Sequence, residues 1–311
     1  MTSSKKRRGF PFLAVVIAAA LIAAAVLFLE RWEIRPPEGP AAPESRDKGI
    51  AARPSAEGKR AQEKRQEQRI AVLIDDIGFD LPLVKELAAL PAPIAFAVLP
   101  QTPHAAEAAA ILHAAGKEIL LHLPMEPRAY PAEDPGAGAL FVDLNAEDLR
   151  ERMAAALAAI PHVRGVNNHM GSRFMEDDAG VAIVMEELSR RGLFFVDSRT
   201  TAGSRGRALA ARAGVPFAAR DIFIDHTPGY EAALAALLDP TRQDRGKKAW
   251  LLIGHPHPET LRALKTALPR WREAGIRLVP LSACVRAPSD KEKRDGDGNR
   301  RQGQISREGN P

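Results

Sequence analysis

The chain has 311 residues, 45% of them apolar and 27% charged, which is enough for one large domain or two ordinary ones and excludes a chain disordered throughout. Its 44 Lys and Arg against 39 Asp and Glu give a net charge of +5. The excess sits at the ends: about +3 in residues 1–30, about +3 in 31–69 and about +2 in 286–311, leaving about −3 between them. A domain that grips phosphates concentrates its cations on the fold, so nucleic acid is not an expected partner. Cys284 is the single cysteine, which excludes an internal disulfide and a Cys-rich zinc site.

In chain order, Lys5, Lys6, Arg7 and Arg8 precede an uncharged, mostly apolar stretch over residues 9–29. About 20 such residues are what a helix needs to cross ~30 Å of hydrocarbon. Glu30, Arg31 and Trp32 follow without a small-x-small cleavage pattern. Residues 1–30 are therefore read as a basic cytoplasmic stub with one transmembrane anchor in the inner membrane, the remainder facing the periplasm. A cleaved signal peptide is the rival reading. Residues 31–69, with Pro36, Pro37, Pro40, Pro43 and the run EGKRAQEKRQEQR, read as a disordered tether, and 286–311 as a disordered tail.

Residues 70–285 alternate between short β-like runs and amphipathic stretches, the pattern of βα units on a mainly parallel α/β sheet. The predicted strands are 70–74, 94–99, 118–121, 163–166, 193–196, 222–224, 250–253 and 277–280. The predicted helices are 81–90, 103–115, 146–160, 177–191, 206–213, 230–238 and 259–274, with Asn145 as a cap before the third. Seven or eight such units fit a closed or nearly closed barrel, and equally an open doubly wound sheet. No Gly-rich phosphate-binding motif follows any strand.

Almost every predicted strand ends in residues that bind metals or move protons. Asp75 and Asp76 follow the first, His122 and Glu126 the third, and Asn167, Asn168 and His169 the fourth. Asp197, Ser198 and Arg199 follow the fifth, Arg220, Asp221, Asp225 and His226 flank the sixth, and His255 and His257 follow the seventh. Singly, an Asp after a strand caps a helix or shapes a turn, and a lone His packs in the interior or on the surface. His104, His113 and His162, on or beside helices, are assigned to that class, and His226 and His257 are open to it. An acidic pair at a buried strand mouth is different, because it is costly without a cation or proton to compensate. A zinc-like ion takes His nitrogen and Asp oxygen, keeps a position for water and acidifies it. Asp75, Asp76, His122, His169 and His255 supply such a site with a carboxylate left over for proton transfer, as in a hydrolase of amides or esters. Two-metal phosphoesterase chemistry draws on the same residue types.

The segments LIDDIG (73–78), FAVLP (96–100), EILLHLPMEP (118–127), NNHMGSRF (167–174), FVDSRTT (195–201), RDIFID (220–225) and IGHPHPETL (253–261) resemble, in order, the divergent polysaccharide deacetylase family, the YibQ-like proteins. The likeness spans about residues 69–285. It implies a distorted β/α barrel of seven or eight strands, like that of the distantly related NodB-type deacetylases. By the same resemblance Asp75 is the catalytic base, Asp76 and His122 bind a divalent metal such as zinc, and His255 is the general acid. The NodB-type His-x-x-x-His motif reads His122-Leu-Pro-Met-Glu126 here, so the third ligand falls to His169, with Glu126 as alternate. Asp197 and Asp225 are expected to orient ligands, and Asn168 and Arg199 to contact substrate. The implied function is a membrane-tethered deacetylase of an acetylated envelope glycan, or a non-catalytic envelope protein on the same fold that binds glycan or a partner.

Overall fold

A computed structural model of the protein describes residues 68–239, 249–290 and 292. The expected anchor, nearly all of the tether and most of the tail lie outside the described residues. Among the described residues no helix is long and apolar enough to cross a membrane.

Nine strands among the described residues form one sheet. They are β1 (Arg69–Ile77), β2 (Ala95–Val98), β3 (Glu118–Met125), β4 (Val163–Met170), β5 (Phe194–Asp197), β6 (Phe217–Ala219), β7 (Ile222–Phe223), β8 (Ala249–Gly254) and β9 (Arg277–Leu278). Among the described residues seven α-helices join them: α1 (Leu81–Ala88), α2 (Ala105–Ala114), α3 (Ala146–Ala159), α4 (Asp178–Arg191), α5 (Gly206–Ala213), α6 (Tyr230–Leu238) and α7 (Pro258–Glu273). The spatial order is β6-β5-β4-β3-β2-β1-β8-β7, with β9 beside the start of β1, and every ladder is parallel. The sheet is curled, a half-barrel. No ladder joins the edge strands β6 and β7 among the described residues, yet the chain passes between them through Arg220 and Asp221 alone. The Arg220 N–H bonds Asp197 on one side of this seam and the Asp221 N–H bonds Leu251 on the other.

Two differences from the sequence reading follow from local chemistry. The sheet has nine strands rather than seven or eight, because Phe217–Ala219 is three residues long, ends in Ala-Ala and carries little intrinsic strand preference. Strands β3 and β4 also run four residues further than predicted, so His122 and Asn167–His169 lie inside the ladder rather than after it.

The period-2 alternation of strand side chains explains where the site lies. Ile70, Val72 and Ile74 face the helices and belong to the large core. Ala71 and Leu73 face inward, with Ala95 and Ala97 of β2, Leu120 of β3, Phe194 and Val196 of β5, and Leu251 and Ile253 of β8. Leu281 closes this inner cluster from below, where Ser282 is bound through its N–H to Glu118 at the start of β3. Two positions further along, the inward residue of β1, β3, β4, β5 and β8 becomes polar: Asp75 after Leu73, His122 after Leu120, Asn167 and His169 after Gly165, Ser198 after Val196, and His255 after Ile253. An apolar floor thus carries a polar roof at the C-terminal strand ends, where β/α barrels hold their chemistry.

Candidate metal centre

Alternation alone would turn Asp76 away from Asp75. Asp76 instead has φ 53°, a left-handed conformation that Asp tolerates better than most residues, and the β1–β2 register is irregular between Ile74 and Ile77. This break brings Asp76 back over the polar roof. Its Oδ1 lies 3.0 Å from His122 Nε2 and 2.9 Å from His169 Nδ1, and the two ring nitrogens are 3.1 Å apart. The Asp76 Oδ1 is buried, and close as the two nitrogens are, neither forms a regular hydrogen bond to it. Three ligand-type atoms therefore lie 2.9–3.1 Å from one another, somewhat closer than the ~3.4 Å between neighbouring ligands of a tetrahedral ion with bonds of ~2.1 Å. A group of one carboxylate and two imidazoles fits a divalent metal. Burial opposes the Asp76 charge, yet His122 and His169 hold its carboxyl far below the usual range.

Asp75 is buried beneath this triad. Its Oδ1 accepts from Asn167 Nδ2 at 2.8 Å, and its Oδ2 is 3.8 Å from His122 Nε2. Burial pushes its carboxyl pKa up, although His122 and His255 pull the other way. Asn167 accepts from His122 Nδ1 at 2.9 Å.

On the other side, His255 Nε2 approaches Asp76 Oδ2 at 3.8 Å, while its Nδ1 donates to Asp225 Oδ1 at 2.9 Å. The second Asp225 oxygen accepts from the His255 N–H at 2.6 Å and from Thr260 Oγ1 at 3.0 Å. Burial works against a charged His255, but the Asp225 hydrogen bond and charge outweigh it and lift its pKa to about 9. Burial likewise opposes the Asp225 charge, and its bonds to His255 lower its pKa. Asp225, His255 and His257 also place ligand-type atoms within 4.8 Å of one another. The Asp225 oxygens are already engaged, so the group reads as a hydrogen-bonded His–Asp dyad.

Glu126 does not join the triad, in correction of its expected place as an alternate ligand. Its Oε2 accepts from the Val142 N–H at 2.8 Å and its Oε1 pairs with Arg173 at 2.6 Å. It clasps the returning limb of the long β3–α3 loop, which the Leu140 and Glu126 N–H groups also pin to β3. Asp197 lies outside the centre too, accepting from the Arg199 N–H at 2.7 Å and from Ser204 Oγ at 2.6 Å. The Asn168 amide is buried and engaged with Met170 O and the Ser198 N–H, which makes it a loop organiser in place of the expected substrate contact. Arg199 is exposed at the mouth, with φ 52°. Three groups carry more of the site than the sequence reading gave them. Asn167 bridges Asp75 and His122, Thr260 holds Asp225, and the half-buried Arg220 stacks over Phe223 with its Nε on Ser198 O at 2.7 Å. The Gly165-x-Asn167-x-His169 alternation was the available signal for Asn167; none existed for Thr260, a helix residue.

The sequence pattern of the family described as "Divergent polysaccharide deacetylase" matches residues 72–285. The chain is 32% identical over 221 residues to the uncharacterized protein YibQ of Escherichia coli K12, covering 71% of this chain and 68% of that one. It is 30% identical over 215 residues to an uncharacterized protein of Haemophilus influenzae, covering 69% and 73%. Among solved structures, an uncharacterized protein from Agrobacterium tumefaciens C58 has the same fold, with a TM-score of 0.67 at 24% identity over 74% of this chain and 96% of that one.

Proposed function

Because the chain belongs to the divergent polysaccharide deacetylase family, we propose that it is a metal-dependent deacetylase of an N- or O-acetylated glycan of the cell envelope. The observation that carries this reading is the buried, hydrogen-bond-free Asp76 Oδ1 facing two imidazole nitrogens at 2.9 and 3.0 Å. Asp76, His122 and His169 would hold a divalent ion such as zinc. Bound there, the ion supplies Lewis-acid chemistry, polarising a carbonyl oxygen and acidifying water near neutral pH. Asp75 takes the water's proton; its burial raises its basicity toward the range a general base needs. His255 gives a proton to the departing sugar nitrogen or oxygen, and Asp225 keeps its Nδ1 protonated so that Nε2 is the end that acts. The basic stub and apolar run of residues 1–29 support an inner-membrane anchor that leaves the domain in the periplasm, within reach of peptidoglycan or another polysaccharide.

A second reading rests on Glu126. Where NodB-type enzymes place a second metal-binding His, this carboxylate is a loop clasp, which suits a glycan- or partner-binding protein that keeps the deacetylase fold. The experiment is zinc stoichiometry together with acetate release from acetylated chitooligosaccharide and peptidoglycan. Wild type should bind one zinc and release acetate, Asp75→Asn should bind zinc without turnover, and His122→Ala should lose both. Stoichiometric zinc with no acetate release from any acetylated glycan favours the second reading, and absence of bound metal refutes the centre.

A further inference from the structure

Asn167 is fully buried on β4, between β3, which carries His122, and β5, which Ser198 follows. Its side-chain amide has one acceptor end and one donor end, and both are used. Nδ2 donates to Asp75 Oδ1 at 2.8 Å and to Ser198 Oγ at 3.3 Å. Oδ1 lies 2.9 Å from His122 Nδ1. An amide oxygen only accepts, so His122 must carry its proton on Nδ1 and present Nε2 to Asp76 and His169. The reverse orientation of the amide would set Oδ1 against the Asp75 carboxylate, oxygen to oxygen, and Nδ2 against a protonated Nδ1. The Asp75 carboxylate thus selects the orientation of Asn167, and Asn167 selects the protonated nitrogen of His122.

We infer that Asn167 is a positioning residue that fixes the tautomer of His122 while holding Asp75 in place, so that the amide on β4 couples the proton-accepting carboxylate on β1 to the metal-facing imidazole on β3. A metal-facing histidine needs its other nitrogen protonated and bonded outward. This is usually done by a carboxylate or a backbone carbonyl; here an amide does it and serves the base with its other end. The inference rests on the proposed roles of His122 and Asp75 for its functional meaning, but the proton on Nδ1 is observable without them.

The test is two-bond 1H–15N correlation on the full chain labelled at histidine nitrogens, with His122→Gln to assign the signals. Wild type should show a hydrogen-bonded Nδ1–H on His122 both without metal and after zinc addition, with Nε2 losing any proton when zinc binds. Asn167→Leu should lose that Nδ1–H signal and weaken zinc binding by about 10–100-fold. Asn167→Asp restores the acceptor for Nδ1 but sets an oxygen against Asp75, so it should keep the signal and bind zinc more tightly than Asn167→Leu without matching wild type. A wild-type His122 protonated only on Nε2 overturns the inference, as does an Asn167→Leu chain with unchanged signal and zinc affinity. An Nδ1–H that depends on Asn167 in a chain binding no zinc supports the role of Asn167 and sinks the metal-centre reading alone.

Discussion

Replacing Glu126 by alanine separates a loop clasp from a metal ligand. Its Oε2 satisfies the Val142 N–H, and its Oε1 pairs with Arg173, whose side chain is 57% exposed. Losing the charge-assisted bond to a part-buried N–H costs about 1–3 kcal/mol. The ion pair, with one partner largely in water, adds about 0–1 kcal/mol. The variant should therefore be less stable by roughly 1–4 kcal/mol, centred near 2–3. With a urea m-value of ~2–3 kcal/mol/M, the unfolding midpoint falls by about 1 M. Fluorescence of the buried Trp250 and Trp271 reports the transition. Zinc affinity of the folded variant, measured by competition with a chromophoric chelator, should change by less than about 3-fold, whereas changing a ligand costs orders of magnitude. If Glu126→Ala loses zinc as His122→Ala does while its unfolding midpoint stays put, the carboxylate binds metal and the clasp assignment is wrong.

Asp225→Asn should move the alkaline limb of hydrolysis down from about pH 9 toward the ordinary histidine range, read from kcat against pH. The same pair governs stability of the metal-free chain. Because the folded pKa of His255 is raised, its contribution is fully present below pH ~6.5 and is lost as pH rises through about 9. Urea midpoints of wild type and Asp225→Asn should thus converge as pH rises, and a constant gap would contradict the pairing. A β-carbon on Gly165 would lie 2.3 Å from a Phe194 ring carbon. Gly165→Ala should destabilise by about 1–3 kcal/mol, and adding Phe194→Leu should return part of it in the same denaturation assay. Prolonged dialysis against a chelator should abolish acetate release, and zinc should restore it to wild type but not to His169→Ala.

The strands and helices whose patterns are uninterrupted were legible. Residues 70–74 are apolar without a break because β1 is covered on both faces, and α4 carries both a start signal in Asp177 and a stop signal in Gly192. Reading failed where composition and position part company. His122 and Asn167–His169 look like the residues after a strand, yet they belong to it, because polarity marks the roof of the inner face rather than the end of the ladder. Asp75, Asp76, His122, His169, Asp225 and His255 were identifiable as residue types at strand ends, and the structure brings them together. The engagement of Glu126 elsewhere was not legible, since its partners Val142 and Arg173 arrive from two distant loops. Nor was the turn of Asp76 toward its neighbours, which rests on one backbone dihedral.

The inner face of β2 has a consequence for the centre to which it lends no ligand. β1 and β3 are not neighbours; β2 lies between them, which at ~4.8 Å per strand sets them more than 9 Å apart. Asp76 and His122 nevertheless meet at 3.0 Å, reaching across a strand whose inward residues below them are Ala95 and Ala97. These two methyl groups leave room for the sheet to bend at that point and for Asp76 and His122 to close above it. The spacing of Asp76 and His122 is set from the floor beneath them. A bulkier side chain at Ala97 would prise apart Asp76 and His122, so that a residue with no chemistry of its own would tune the distance between two groups that have it.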